Sequence, residues 1–156
     1  MRRTSLRALL ALFVAVALLT WALLAALDAA GVVPQFNSWY TAVFAVVVSA
    51  WLLWRGRAVK KLKARENTTI TAVGAARVVA AAKAAALTGA IVAGIGAGFA
   101  VAYAPHLAGP IGKANVVDGV VTLLACLGMT VVALVVERWC EIPPPTDEAP
   151  KQAAEA

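Results

Sequence analysis

Apolar residues gather along this chain into four stretches, each long enough to cross the hydrocarbon core of a bilayer as an α-helix. Crossing about 30 Å of hydrocarbon takes roughly 20 apolar residues. Polar and charged residues are concentrated between the stretches and near the two ends of the chain. The pattern predicts an all-α integral membrane four-helix bundle, with spans over residues 8–27, 36–54, 78–104 and 117–138.

The chain is predicted to form one four-span domain, residues 1–142, followed by a Pro-rich tail, residues 143–156. Pro143 to Pro145 prevent the last helix from continuing, and the residues beyond them show no apolar periodicity, which is typical of disorder. The tail is interpreted either as a frayed end or as an extended polyproline segment that docks a partner.

The composition supports a membrane protein over a water-soluble one. Apolar residues make up 62% of the 156 residues and charged residues 14%, whereas soluble domains contain about 45–50% and 25%. The first span could be mistaken for a secretory signal, but its apolar run is too long for a signal core. In addition, Asp28 lies where small residues would be needed for cleavage. We therefore expect an uncleaved anchor.

The distribution of cations predicts the orientation of the bundle. Of the 14 Lys and Arg residues, all but Lys113 lie near one of the two termini or between Trp54 and Ala84, where the charge-free stretch of the third span begins. Lys and Arg in short loops remain on the cytosolic side, so both termini are predicted to be cytosolic and the protein to be a multi-pass protein of the cell (inner) membrane. Because these cations flank hydrophobic spans, the net charge of +6 indicates membrane orientation and no nucleic-acid partner.

The third span is rich in small residues at helical spacing. The sequence between Thr71 and Ala104 contains no Pro and much Ala, which favours one continuous helix. Small residues four apart share a helix face and allow close approach of a second backbone. The predicted packing residues are Gly89, Ala93, Gly94 and Gly98. Their neighbour is either another span of this chain or a different protein.

A basic segment precedes the third span. The sequence RGRAVKKLKAR at residues 55–65 is interpreted as a short helix lying on anionic headgroups, or as a solvated loop that only sets orientation. Lys83 is expected either to bind a lipid phosphate or a partner carboxylate, or simply to extend its ammonium towards the headgroups. The predicted lipid or partner contacts are Arg57, Lys60, Lys61, Lys63, Arg65, Arg77 and Lys83.

Few residues suggest catalysis or metal binding. His106 is the single histidine and is expected to be an exposed loop residue without nearby carboxylates, since a zinc site needs three or four ligands. Asn115 and Asp118 have the spacing of a capping pair at the start of the fourth span. Glu137 is expected to balance Arg138 and nearby cations. We predict no enzyme activity, no cofactor and no metal site.

Three segments resemble a family of small actinobacterial membrane proteins, the domain of unknown function 3180 family. They are TSLRALLALFVAVALLTWALL near the start, AARVVAAAKAAALTGAIVAG in the middle and ERWCEIPPPTDE near the end. The resemblance implies four membrane spans and supplies no established activity or ligand. It also makes Arg77 and Lys83 better candidates for a shared role.

These features favour a non-enzymatic membrane subunit or scaffold. Its expected partners are membrane lipids, anionic ones in particular, together with a membrane-protein partner or further copies of the chain. The alternative is a small oligomeric transporter or channel, although proton-coupled transport needs an ionisable residue deep within a span.

Overall fold

The computed structural model describes residues 5–35, 37–63 and 72–139. The side chains of residues 59–63, 72, 73 and 75 lie outside this description, as do Arg65 and the predicted tail, residues 143–156. The described chain forms four α-helices, α1 Leu6–Ala29, α2 Ser38–Lys63, α3 Ala72–Tyr103 and α4 Pro110–Trp139, with a short 3₁₀ helix, η1 Ala104–His106. All four α-helices are long and apolar enough to span a membrane, which confirms the predicted fold class.

Helix α1 has a defined start and end. The side chain of Ser5 accepts a hydrogen bond from the backbone N–H of Ala8 at 3.3 Å, as expected of an N-cap serine. At the other end, Gly31 has a φ of +74°, and the backbone N–H of Val32 donates to the carbonyl of Leu27 at 3.0 Å. This is a Schellman motif, in which glycine avoids the penalty that a side chain would meet in the left-handed region.

Helix α2 extends beyond its apolar stretch. The side-chain oxygen of Asn37 accepts from the backbone N–H of Trp39 at 3.1 Å where the helix begins. The helix then runs without interruption to Lys63. Residues 55–63 are therefore helical, and they continue α2 because Lys and Arg are compatible with α-helix. The alternative of a solvated loop was wrong for these residues.

Helices α3 and α4 form the two long central rods. Helix α3 is continuous, as predicted, and its 32 residues extend about 48 Å at 1.5 Å per residue. Helix α4 begins at Pro110, a residue favoured at the first helical position. The prediction that Asn115 and Asp118 cap this helix was wrong, since both lie inside it.

The order of the helices in space differs from their order in the chain. Helix α3 lies between α1 and α4, and α2 packs on α4 with a smaller contact to α3. Within the described residues, no Cα atom of α1 lies within 8 Å of a Cα atom of α2 or α4. Helix α3 is therefore the element that touches all three others.

Buried clusters define the two ends of the bundle. Leu9, Leu52, Val78 and Val136 share one cluster, which places the start of α1, the end of α2, the start of α3 and the end of α4 together. We call this the basic end. Leu24, Phe99 and Tyr103 form another cluster at the opposite end, which we call the distal end. The four helices thus alternate in direction.

Candidate functional site

The small residues of α3 lie against two different neighbours. On one side, Gly94 and Gly98 face α1. A Cβ atom on Gly94 would lie 2.8 Å from the backbone oxygen of Phe13, and one on Gly98 would lie 2.6 Å from the Cβ of Thr20. Both positions therefore require glycine for α1 to approach this closely.

The opposite side of α3 faces α4. A Cβ atom on Gly96 would lie 2.7 Å from the backbone oxygen of Gly119, and one on Gly119 would lie equally close to the oxygen of Gly96. Gly89 lies next to Cys126, and Ala93 is fully buried in a cluster with the same cysteine. The structure thus places the four predicted packing residues at contacts between helices of the same chain.

The stripe of buried residues on α4 was not predicted, although its regular spacing is visible in the sequence. Its buried residues recur every seven positions in two interleaved series: Gly112, Gly119, Cys126 and Ala133, and Asn115, Thr122, Met129 and Val136. Spacings that alternate between three and four residues are typical of the contact face between two helices that coil around each other in a left-handed sense. Small residues in the first series bring the two backbones close.

At the basic end, a lysine and a glutamate join α3 to α4. Lys83 Nζ lies 3.7 Å from Glu137 Oε1, and the exposed fractions of the two side chains are 31% and 16%. Glu137 therefore faces Lys83, whereas the sequence suggested Arg138 and nearby cations in general and did not single out Lys83. Glu137 belongs to the last turn and a half of α4, so the ammonium of Lys83 extends towards the basic end.

Replacing Glu137 with glutamine is expected to lower the free energy of unfolding by about 1–2 kcal/mol, between the values for exposed and buried ion pairs. The half-buried ammonium of Lys83 would lose its nearby countercharge. Thermal unfolding in mild detergent measures the effect. Arg138→Gln is the control, since Arg138 is adjacent and exposed. Equal losses in the two variants would contradict the pairing, while recovery in the Lys83→Glu, Glu137→Lys double variant would support it.

Exposed arginines surround this pair at the basic end. The guanidinium of Arg55 lies 5.3 Å from the ring centroid of Trp54 and 5.9 Å from that of Trp51, within the range of cation–π attraction. Arg57 and Arg77 are exposed on α2 and α3. Of the other predicted contacts, Lys60, Lys61, Lys63 and Arg65 have side chains outside the described set. The described part of the basic end thus combines cations with an aromatic belt.

At the distal end, hydrogen bonds tie the start of α2 to α4. Ser38 Oγ donates to Asp118 Oδ1 at 2.6 Å, and Asn115 Nδ2 donates to the backbone oxygen of Pro34 at 3.3 Å. These contacts explain why two polar residues lie inside α4. They hold the connection between α1 and α2 in place. The sequence had suggested helix capping as the role of these two residues.

The distal end also contains a cleft of about 370 Å³, lined by residues that include Asp28, Tyr103 and His106. His106 Nε2 lies 3.8 Å from Asp28 Oδ2. The expectation that no carboxylate lies near His106 was wrong, because α1 ends beside η1. In the part of the chain that the structure describes, no group of three or more His, Cys, Asp or Glu side chains converges as a metal site would require.

Comparison with known proteins adds a family and no close relative. Searches among curated proteins and among solved structures found no significant match. A family described as "Protein of unknown function (DUF3180)" matches residues 9–144, which include all four α-helices apart from the first three residues of α1. The chain is therefore a member of the DUF3180 family of proteins of unknown function.

Proposed function

We propose that this protein is a non-enzymatic membrane subunit that binds anionic lipid headgroups through its basic end. The observation that carries the proposal is that α2 and α3 both continue as helices past their most apolar stretches at this same end. Helix α2 continues for nine residues beyond Trp54, and α3 begins twelve residues before Ala84, where its charge-free stretch starts. The two extensions present cations from a helical base.

The exposure of cations at the basic end supports headgroup contact. Arg55, Arg57, Arg77 and Arg138 are all exposed at the basic end. Each cation near an anionic leaflet contributes about 1 kcal/mol of attraction, so four of them attract anionic lipid strongly. Trp51 and Trp54, whose rings lie near the guanidinium of Arg55, are of the type that favours the headgroup layer. We assign this end to the cytosolic face of the cell membrane by the same charge rule.

Close packing of α3 supports the role of a subunit. Glycine contacts on two sides of α3 fix its position relative to α1 and α4, so its basic extension projects from a rigid support. Large apolar side chains on α2, among them Trp39, Tyr40 and Phe44, are exposed and lie where lipid, another copy of the chain or a different membrane protein would contact them.

Neutralising cations at the basic end is expected to reduce the retention of anionic lipid. In an Arg57→Gln, Arg77→Gln double variant, the loss of two cations weakens attraction by about 2 kcal/mol, or roughly 30-fold in affinity. Native mass spectrometry of the protein extracted from mixed phosphatidylglycerol and phosphatidylcholine membranes measures the lipid retained. Lys113→Gln removes one exposed cation at the distal end and serves as the control. Equal lipid retention in the two variants and the parent protein would rule out the proposed contact.

A second experiment tests the role of a subunit and its orientation. Crosslinking in the native membrane, followed by purification in mild detergent, should recover a discrete partner or an oligomer. Recovery of the chain only as a monomer would contradict the proposal.

Reporter fusions at residues 63 and 108 should report opposite faces, with residue 63 in the cytosol. Ion flux above that of empty vesicles would favour a transporter or channel instead.

A further inference from the structure

The distal cleft has the size and lining of a small-molecule site. It is an open cleft of about 370 Å³ where the end of α1, the end of α3, η1 and the start of α4 meet. Ligand pockets typically enclose about 300–1,000 Å³ and are lined by apolar groups with a few converging polar ones. Val33 and Ile111 supply apolar lining, while Asp28, Tyr103 and His106 supply the polar and aromatic groups.

Tyr103 provides an independent indication of a ligand. Its side chain is 4% exposed, and its hydroxyl is buried without a hydrogen-bond partner among the described residues. Burying an unpaired hydroxyl is unfavourable, and a hydrogen bond from a bound ligand would offset that cost. The ring of Tyr103 meets that of His106 edge-on, with 6.2 Å between centroids, so the tyrosine belongs to the wall of the cleft.

The charged and polar groups that line the cleft indicate which class of ligand it can bind. Asp28 is its one carboxylate, and no Lys or Arg lies among the described lining residues. His106 Nε2 lies 3.8 Å from Asp28 Oδ2, a separation beyond hydrogen-bond range, and both side chains are about half exposed. The carboxylate is therefore open to a second donor. An ammonium group donates hydrogen bonds to a carboxylate and to a phenolic oxygen, and it is attracted to aromatic faces.

We infer that this cleft binds the ammonium group of a small amphiphilic amine. Asp28 supplies the countercharge, the Tyr103 hydroxyl oxygen accepts a hydrogen bond, and the ring of His106 forms part of the wall beside them. Val33 and Ile111 contact the apolar body of the ligand. The same chemistry is offered by a free alkylamine and by an ethanolamine lipid headgroup. The inference does not depend on lipid binding at the basic end.

Hexylamine is the probe that tests this inference. Calorimetric titration of the full-length protein in uncharged maltoside micelles, corrected for micelles alone, should show saturable binding of one amine per chain. Hexanol has the same apolar chain without the charge and should bind at least tenfold more weakly, since hydrogen bonds to charged groups contribute about 1.5–3 kcal/mol. Equal binding of hexanol, or binding that does not saturate, would overturn the inference.

Two variants locate the binding. Asp28→Asn should weaken hexylamine binding at least tenfold, and Tyr103→Phe, which retains the ring and removes the hydroxyl, should weaken it about three- to tenfold, as expected for one hydrogen bond. Lys113→Gln is the control at the same end and should bind like the parent. If Asp28→Asn does not fold, Tyr103→Phe decides the question, and unchanged binding in that variant counts against the assignment.

Competition identifies the source of the amine. If short-chain phosphatidylethanolamine displaces hexylamine and short-chain phosphatidylglycerol does not, the ligand is a lipid headgroup. If neither lipid displaces hexylamine, the ligand is a free amine. Displacement by both lipids to the same extent would show that the cleft recognises acyl chains and would refute recognition of ammonium. Because Arg57 and Arg77 lie at the other end of the bundle, their variants should leave this titration unchanged.

Discussion

Replacing Gly96 with leucine should lower the free energy of unfolding by about 3 kcal/mol or more, at the upper end of the range for overpacked cores. The added side chain would meet backbone atoms of α4, because even a Cβ atom at Gly96 would lie 2.7 Å from the oxygen of Gly119 and 2.9 Å from the nitrogen of Leu123. Backbone cannot rotate away as a flexible side chain does. Helices α3 and α4 would have to separate.

Denaturation of the purified protein, followed by circular dichroism during an SDS titration in mild detergent, measures this loss. Gly128→Leu is the matched control, since Gly128 lies in α4 and a Cβ atom there would have no neighbour within 4 Å. The control should be neutral or slightly stabilising, because glycine is a poor helix residue. If both variants lose the same stability, the close approach of Gly96 to Gly119 does not contribute to the fold.

The second large effect is expected at the contact between α1 and α3. Gly94→Leu would place a side chain against the Phe13 carbonyl oxygen, which would lie 2.8 Å from a Cβ atom at this position, and against the side chain of Val16. Among the described elements, only α3 has Cα atoms within 8 Å of Cα atoms of α1. Loss of about 2–3 kcal/mol at this interface should therefore release α1 while α3 and α4 stay paired.

Spin labels at two exposed positions, Leu18 on α1 and Leu124 on α4, measure this release. In the parent protein, the distance distribution from pulsed electron resonance should be narrow, and in Gly94→Leu it should broaden and shift to longer distances. Ala84→Leu adds the same bulk at an exposed position of α3 and should leave the distribution unchanged. A narrow distribution in all three proteins would show that α1 is held by contacts other than those at Gly94.

Hydropathy alone predicted the number and class of the helices, because lipid requires every backbone polar group to be satisfied within a helix. It left the end of α2 open, because an apolar stretch does not show whether a helix continues through the cations that follow it, and it misplaced the start of α4. Helix α4 was begun too late because Asn115 and Asp118 resemble loop residues. Their polar groups are satisfied by Pro34 and Ser38, partners that local sequence cannot reveal.

The packing residues were predicted only in part for a similar reason. Spacing of four showed that one helix of this chain carries small residues, but it did not show that Gly94 and Gly96 face different neighbours. The seven-residue recurrence in α4 was available in the sequence, although it is less conspicuous where the residues are Asn, Thr, Cys and Met.

The candidate sites depended on contacts between distant parts of the chain. Asp28 and His106 are 78 positions apart, and nothing local to either residue indicates that η1 lies beside the end of α1. Similarly, Glu137 was expected to balance Arg138 and nearby cations, but the sequence did not show which cation of another helix it would meet. The contact with Lys83 follows from the antiparallel arrangement of α3 and α4.

The spatial order of the helices has a consequence for biosynthesis. Elements that follow each other in a chain usually pack together. Here, within the described residues, no Cα atom of the first helix lies within 8 Å of a Cα atom of the second. After both have left the ribosome and entered the lipid, the helices on which they pack most closely are still missing, since α1 packs on α3 and α2 packs mainly on α4. A nascent chain that stops before residue 72 therefore holds two helices joined by their short connection but without these packing partners.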